Sequence, residues 1–133
     1  MATSKFFVMW LLRLVAAFIM VQSLFFKFSG ADESVYIFSM LGIEPWGRIG
    51  TAIVELLASI LLLIPGTSWL GAGLGLATMS GAIFFHLTRL GVEVKNDGGQ
   101  LFIYAIITWV CCLVVVVIEK QKIRHVLQTS FLK

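Results

Sequence analysis

The fold class that the sequence predicts is an all-α integral membrane bundle of four transmembrane helices. Three observations carry the prediction. Of 133 residues, 59% are hydrophobic and only 13% are charged, whereas soluble domains run at roughly half apolar and about a quarter charged. Mean hydropathy is +1.00, more apolar surface than a soluble chain of this length can hide. The apolar residues also fall into four runs, about 6–26, 47–64, 69–90 and 101–118, each close to the ~20 helical residues that cross a ~30 Å hydrocarbon core. With no internal repeat and no long linker, residues 1–133 read as one domain.

The first run contains Arg13 and no small-x-small cleavage signal before the polar stretch Phe28–Glu33. It therefore reads as a retained helix and not as a cleaved leader. ADESVYIFSMLGIEPWG follows, with an apolar middle, Val35–Ile43, too short to cross. That pattern suits a short amphipathic helix lying in the interface or over the bundle as a lid. The second run is the shortest and reaches full length by recruiting Pro45–Arg48, with Pro45 near the helix start where proline is tolerated. Pro65-Gly66 ends it, and Gly98-Gly99 precedes the fourth run. Cys111 and Cys112 are adjacent on that last helix, about 100° apart around its axis, and suit packing better than a disulfide. Residues 119–133 form a basic tail.

Orientation follows from Lys and Arg beside the spans. Lys5, Lys120, Lys122, Arg124 and Lys133 share one side, and Lys27, Arg48, Arg89 and Lys95 share the other, where acids balance them. The dense C-terminal cluster predicts termini in the cytoplasm and a place in the cell's inner or cytoplasmic membrane. A net charge of +3 is too small to indicate nucleic acid as a partner.

Polar residues recur at helical spacing, as residues facing a bundle interior should. The stripes are Arg13, Ala17, Met20, Ser23, Lys27; Arg48, Thr51, Glu55, Ala58, Ser59; Gly71, Gly75, Thr78, Ala82, His86, Arg89; and Gln100, Tyr104, Thr108, Cys111. Gly71 and Gly75 permit close helix approach. At 1.5 Å per residue, most of these polar groups gather in the half of the bundle away from the tail.

Glu55 is the one acid inside any span. It can pin helix register, carry protons or help to hold a ligand. Arg13 lies about 12 Å inside the opposite boundary by helical rise and needs a partner. An Arg13–Glu55 ion pair is the economical solution, with Lys27 or His86 as alternative partners of Glu55. His86 can be a hydrogen-bonded structural residue or a ligand contact. Lys27 and Arg89 can snorkel to head groups or face a ligand, and Tyr104 can pack or hydrogen-bond. His86 and His125 fall on opposite sides and no cysteine joins either, so no metal site is expected.

The motifs LLRLVAAFIMVQSLFFKFSG at 11–30, LGIEPWGRIGTAIVELLASILLLIPG at 41–66 and GAIFFHL at 81–87 together resemble the DoxX-like family of small membrane proteins. The resemblance covers about residues 8–118, with Arg13, Lys27, Glu55 and His86 at the family's polar positions. It implies a four-helix membrane bundle tied to redox work at the membrane. Relatives include subunits resembling thiosulfate:quinone oxidoreductase, the methylamine-utilisation protein MauE and secretory cargo receptors. A Cys-x-x-Cys, which a dithiol mechanism needs, is missing from this sequence.

The functional expectation is an accessory subunit of a membrane redox system, a possible oxidoreductase component, with a quinone or other lipid-like ligand in the outer half of the bundle. Lys27, His86 or Arg89 would bond the ligand's oxygens, Glu55 would tune charge or carry protons, and Phe25, Phe85 and Tyr104 would hold its ring. Expected partners are membrane lipids, a redox protein or further copies of the chain. A scaffold, assembly factor or receptor without catalysis is the alternative, and a proton-coupled transporter is the weaker one because four helices without a repeat rarely build alternating access.

Overall fold

The computed structural model describes residues 2–94 and 97–132, and among them every regular element is helical. Helix α1 spans Ala2–Ser29, α2 Asp32–Met40, α3 Trp46–Leu63 and α4 Ser68–Phe85. A π-helical turn, His86–Leu90, extends α4, and α5 (Gln100–Ile118) and α6 (Lys120–Leu132) complete the chain. Four helices are long and apolar enough to cross a membrane: α1, α3, α4 with its π-turn, and α5. They alternate in direction, so the starts of α1 and α4 share one end with the finishes of α3 and α5. That end, which also carries α6, is called the terminal end below. The other is the lid end, because α2 covers it.

The core is narrow and built from small side chains, which lets the helices approach closely. Ala16, Ala17 and Met20 of α1 meet Ala58 and Leu62 of α3, Ala72 and Met79 of α4, and Cys112 and Val115 of α5. Large apolar residues point outward instead, among them Phe18, Leu57, Phe84 and Val110. In a soluble protein that distribution would be inverted. Here lipid is the solvent, and it satisfies those surfaces.

The two glycines of α4 do different jobs. A Cβ on Gly71 would come within 2.4 Å of Leu62 N and 2.6 Å of Ala58 O, so α3 and α4 touch through their backbones. A Cβ on Gly75 would lie 2.8 Å from Cys112 Sγ, toward α5. Cys111 and Cys112 are both buried and unbonded to each other.

Helix α2 is the amphipathic segment, with Ser34 and Phe38 buried beneath it and Tyr36 and Met40 exposed. Gly30 at φ +70° and Gly42 at φ +74° turn the chain into and out of it, a left-handed conformation that only glycine adopts freely. Residues Lys120–Leu132, expected only as a basic tail, form a helix. Lys95 and Lys133, which enter the charge count, lie outside the described residues, as does the side chain of Lys122.

Candidate functional site

Beneath the lid the helices line a partly open cavity of about 710 Å³, within the ~300–1,000 Å³ usual for small-molecule sites. Its wall is mostly apolar, with Met20, Phe26, Phe38, Trp46, Met79 and Phe85 contributing. Its polar groups are few and converge from every spanning helix: Ser23 and Lys27 from α1, Thr51 and Glu55 from α3, Thr78 and His86 from α4 and its turn, and Gln100 and Tyr104 from α5.

Glu55, 2% exposed, is fixed by α1. Its Oε2 accepts from Lys27 Nζ at 2.6 Å and from Ser23 Oγ at 3.3 Å. Lys27 Nζ also reaches Ser23 Oγ at 3.4 Å. An ammonium carries three N–H donors, so one is left without a partner among the described residues. Glu55 also sits one turn before Ser59, whose hydroxyl donates to the Glu55 carbonyl at 2.8 Å.

The end of α1 that carries Lys27 is itself held. Arg48 donates through Nη1 to the Lys27 carbonyl and through Nε to Glu44 Oε1 at 2.8 Å. Arg48 thus joins the C-terminal end of α1, the stretch after the lid and the start of α3. A cation is favoured at such a helix end because the last carbonyls lack partners.

His86 is 5% exposed. Its Nδ1 lies 3.0 Å from the Gly91 carbonyl. A carbonyl only accepts, so Nδ1 carries the proton, and Nε2 remains without a hydrogen bond among the described residues. The ring stands 5.5 Å from that of Phe102. The π-turn that begins at His86 provides this pose, and such turns are frequent where a helix has to re-aim a side chain. Tyr104 accepts from Gln100 Nε2 at 2.9 Å, which leaves its own O–H to donate elsewhere.

The loop that follows His86 is braced by Asp97. Its Oδ1 accepts from Val94 N at 3.0 Å and Gly99 N at 2.8 Å, and its Oδ2 from Leu101 N at 3.3 Å. Partial desolvation alone would raise the Asp97 carboxyl, but these three N–H bonds, with an electrostatic contribution from nearby His86, outweigh it and hold the group below the usual carboxylate range.

Three expectations from the sequence need correction. The Arg13–Glu55 pair does not form, because Lys27 occupies the carboxylate and Arg13 lies at the terminal end, donating from Nε to Leu62 O at 2.6 Å. Arg13 sits level with Leu62 in the last turn of α3, about 10 Å of helical rise from Glu55. Arg89 is exposed and does not line the cavity. A π-turn advances less per residue than the ~100° of an α-helix, and it swings Arg89 off the stripe that His86 continues. Phe25 is 71% exposed toward lipid, and its neighbour Phe26 lines the cavity in its place.

The cavity thus collects Lys27, Glu55, His86 and Tyr104 but neither Arg13 nor Arg89. Trp46 and Phe38 were missed as wall residues because each belongs to a segment that reads as a turn or interfacial piece. Groups of three or more His, Cys, Asp or Glu able to hold a metal are absent among the described residues.

No curated protein and no solved structure matches the chain. The family model for DoxX matches residues 8–88, more than half of the chain, including most of α1, the lid, α3, α4 and His86. Four membrane-crossing helices and that match make the chain a multi-pass membrane protein of the DoxX family.

Proposed function

We propose that the cavity beneath the lid holds a small lipid-like molecule with a polar head, most naturally a quinone, and that the protein serves a membrane redox system as an accessory subunit. The observation that carries the reading is the mixture in one space of about 710 Å³: a mostly apolar wall that also includes the Lys27–Glu55 ion pair and the His86 imidazole. A quinone head presents two carbonyl acceptors. The unused N–H of Lys27 and the O–H of Tyr104 are donors suited to them, and His86 Nε2 can accept from the O–H of the reduced form. Phe26, Phe38 and Phe85 supply flat apolar contact for the ring. Glu55 holds the Lys27 side chain in place. Electron chemistry would come from a partner, since the chain has no motif for a tightly held redox cofactor.

In this reading the terminal end faces the cytoplasm, because Lys5, Lys120 and Arg124 project there. A reporter joined after the last residue should read as cytoplasmic. Purified protein should release quinone or quinol in near-stoichiometric amount on organic extraction, measured by mass spectrometry. Protein reconstituted with quinone that still releases none would leave the bundle as a scaffold whose polar interior only fixes its helices.

A further inference from the structure

The terminal end carries a second opening, about 580 Å³ in volume, walled by Lys5, Trp10 and Arg13 of α1, Pro65 of the α3–α4 turn, and Glu119 and Gln121 at the α5–α6 junction. It is separate from the cavity under the lid and shares no residue with it. Two opposite charges flank it without neutralising each other by contact.

Arg13 is only 4% exposed. Its guanidinium carbon lies 3.9 Å from the centre of the Trp10 ring, and its Nε is spent on Leu62 O. Its Nη2 is buried and has no hydrogen-bond partner among the described residues. A buried cationic N–H pair without an acceptor is a vacancy that proteins seldom leave. The nearest acid does not fill it. Glu119 acts on Arg13 through space, but no ion pair links them among the described residues. Instead Glu119 receives the Ser68 hydroxyl, at 2.7 Å on Oε1 and 2.8 Å on Oε2. One hydroxyl has one proton, so among the described residues most of the acceptor capacity of that carboxylate stays unused.

Position adds the second constraint. Ser68 opens α4 and Glu119 follows the last residue of α5, so both mark the level where head groups of that leaflet begin. Phe6, Met9 and Ile118 line the same opening and give it an apolar side. Helix α6 leaves from this point with Arg124 and the exposed Val126 and Leu127, a composition suited to the interface.

We infer that this opening is a binding site for a phospholipid whose head group carries both a phosphate and a primary amine, the phosphoethanolamine class. The phosphate oxygens take the unused Arg13 N–H groups and the Lys5 ammonium, and the lipid's ammonium donates to Glu119. The acyl chains then leave along Phe6, Met9 and Ile118. A head group with only negative charge would place its phosphate beside an unpaired Glu119. A choline head group has no N–H to give that carboxylate.

The test is native mass spectrometry of the full chain released from vesicles of equal parts phosphatidylethanolamine, phosphatidylglycerol and phosphatidylcholine, with soluble phosphoethanolamine added at millimolar concentration. The expected result is a phosphatidylethanolamine adduct favoured about tenfold over either other lipid, the effect of one charge-assisted hydrogen bond. Glu119→Gln keeps an acceptor for Ser68 and should bring phosphatidylethanolamine and phosphatidylglycerol to parity. Arg13→Gln should remove all three adducts. Because Arg13 also holds α3, Glu119→Gln decides the matter even if the Arg13 variant fails to fold. Equal binding of the three lipids by the wild type, or an unchanged preference in Glu119→Gln, would overturn the assignment. A phosphoethanolamine-mass adduct in place of the lipid would overturn the lipid source.

Discussion

Glu55 is the residue on which both stability and function turn, and its environment decides what a substitution does. Lys27→Met strands a carboxylate that is 2% exposed, and removing one member of a buried pair costs about 3 kcal/mol. Glu55→Gln should cost less, because Lys27 is half-buried near the lid and can turn toward water or head groups. The double change should cost less than the sum of the singles, as coupled neighbours do, whereas Glu55→Gln with Arg13→Met should be additive. Melting temperatures of the set in detergent check this, and an additive Lys27–Glu55 cycle would contradict the pairing. The sequence shows that Glu55 needs a base. It does not show which one, because the choice rests on which base lies level with Glu55 and on what else each can bond. Arg13 lies beside the end of α3, where the Leu62 carbonyl takes its Nε. Backbone acceptors leave no trace in a side-chain pattern.

At the scale of elements, the α3–α4 contact and the loop before α5 make separate predictions. Gly71→Ala puts a methyl against backbone atoms that cannot turn aside and should destabilise by about 2 kcal/mol, in the range for overpacking. Gly73→Ala meets nothing within 4 Å and should be neutral or slightly stabilising through helix propensity. Two glycines in one helix would thus give opposite signs in the same thermal assay. In the loop, Asp97 has its carboxyl held below the usual range. Its contribution is therefore complete above the unfolded-state value of about 3.9 and fades only as pH falls through the lower folded value. Amide exchange at Val94, Gly99 and Leu101 should stay slow down to about pH 4. In Asp97→Ala it should be fast at every pH, with a loss of about 1 kcal/mol typical of a missing cap. The spans and their inward stripes were legible because lipid leaves polar side chains only one direction to face. The π-turn was not, since no residue pattern marks where a helix widens. The same rotation explains why His86 was placed correctly on the stripe and Arg89 was not. Phe25 and Phe26 differ by a single step around α1, finer than a hydrophobic pattern resolves.

At the scale of the whole molecule, the chain is a thin bundle that spends its small residues on helix contact along the middle and opens at both ends. At the lid end, four helices and α2 surround an apolar chamber with a charged floor. At the terminal end, Arg13 and Glu119 face a smaller opening. The convergence of polar groups on the lid end was visible in sequence as a matter of depth. Its enclosure was not, because it depends on α2 folding back over the bundle between Gly30 and Gly42. Gly81 offers a direct handle on that chamber: it lines the cavity, and a Cβ there meets nothing within 4 Å. Gly81→Phe should therefore place a ring in the chamber with no clash at its Cβ. The deciding measurement is a titration of a short-chain quinone into the wild type and Gly81→Phe, each with Trp10, Trp69 and Trp109 replaced by Phe so that the fluorescence reports Trp46 in the cavity wall. The predicted result is saturable quenching in the wild type and at least about tenfold weaker binding in an equally stable Gly81→Phe. Equal affinity in the two proteins, or no saturable binding to either, would contradict a ligand site beneath the lid.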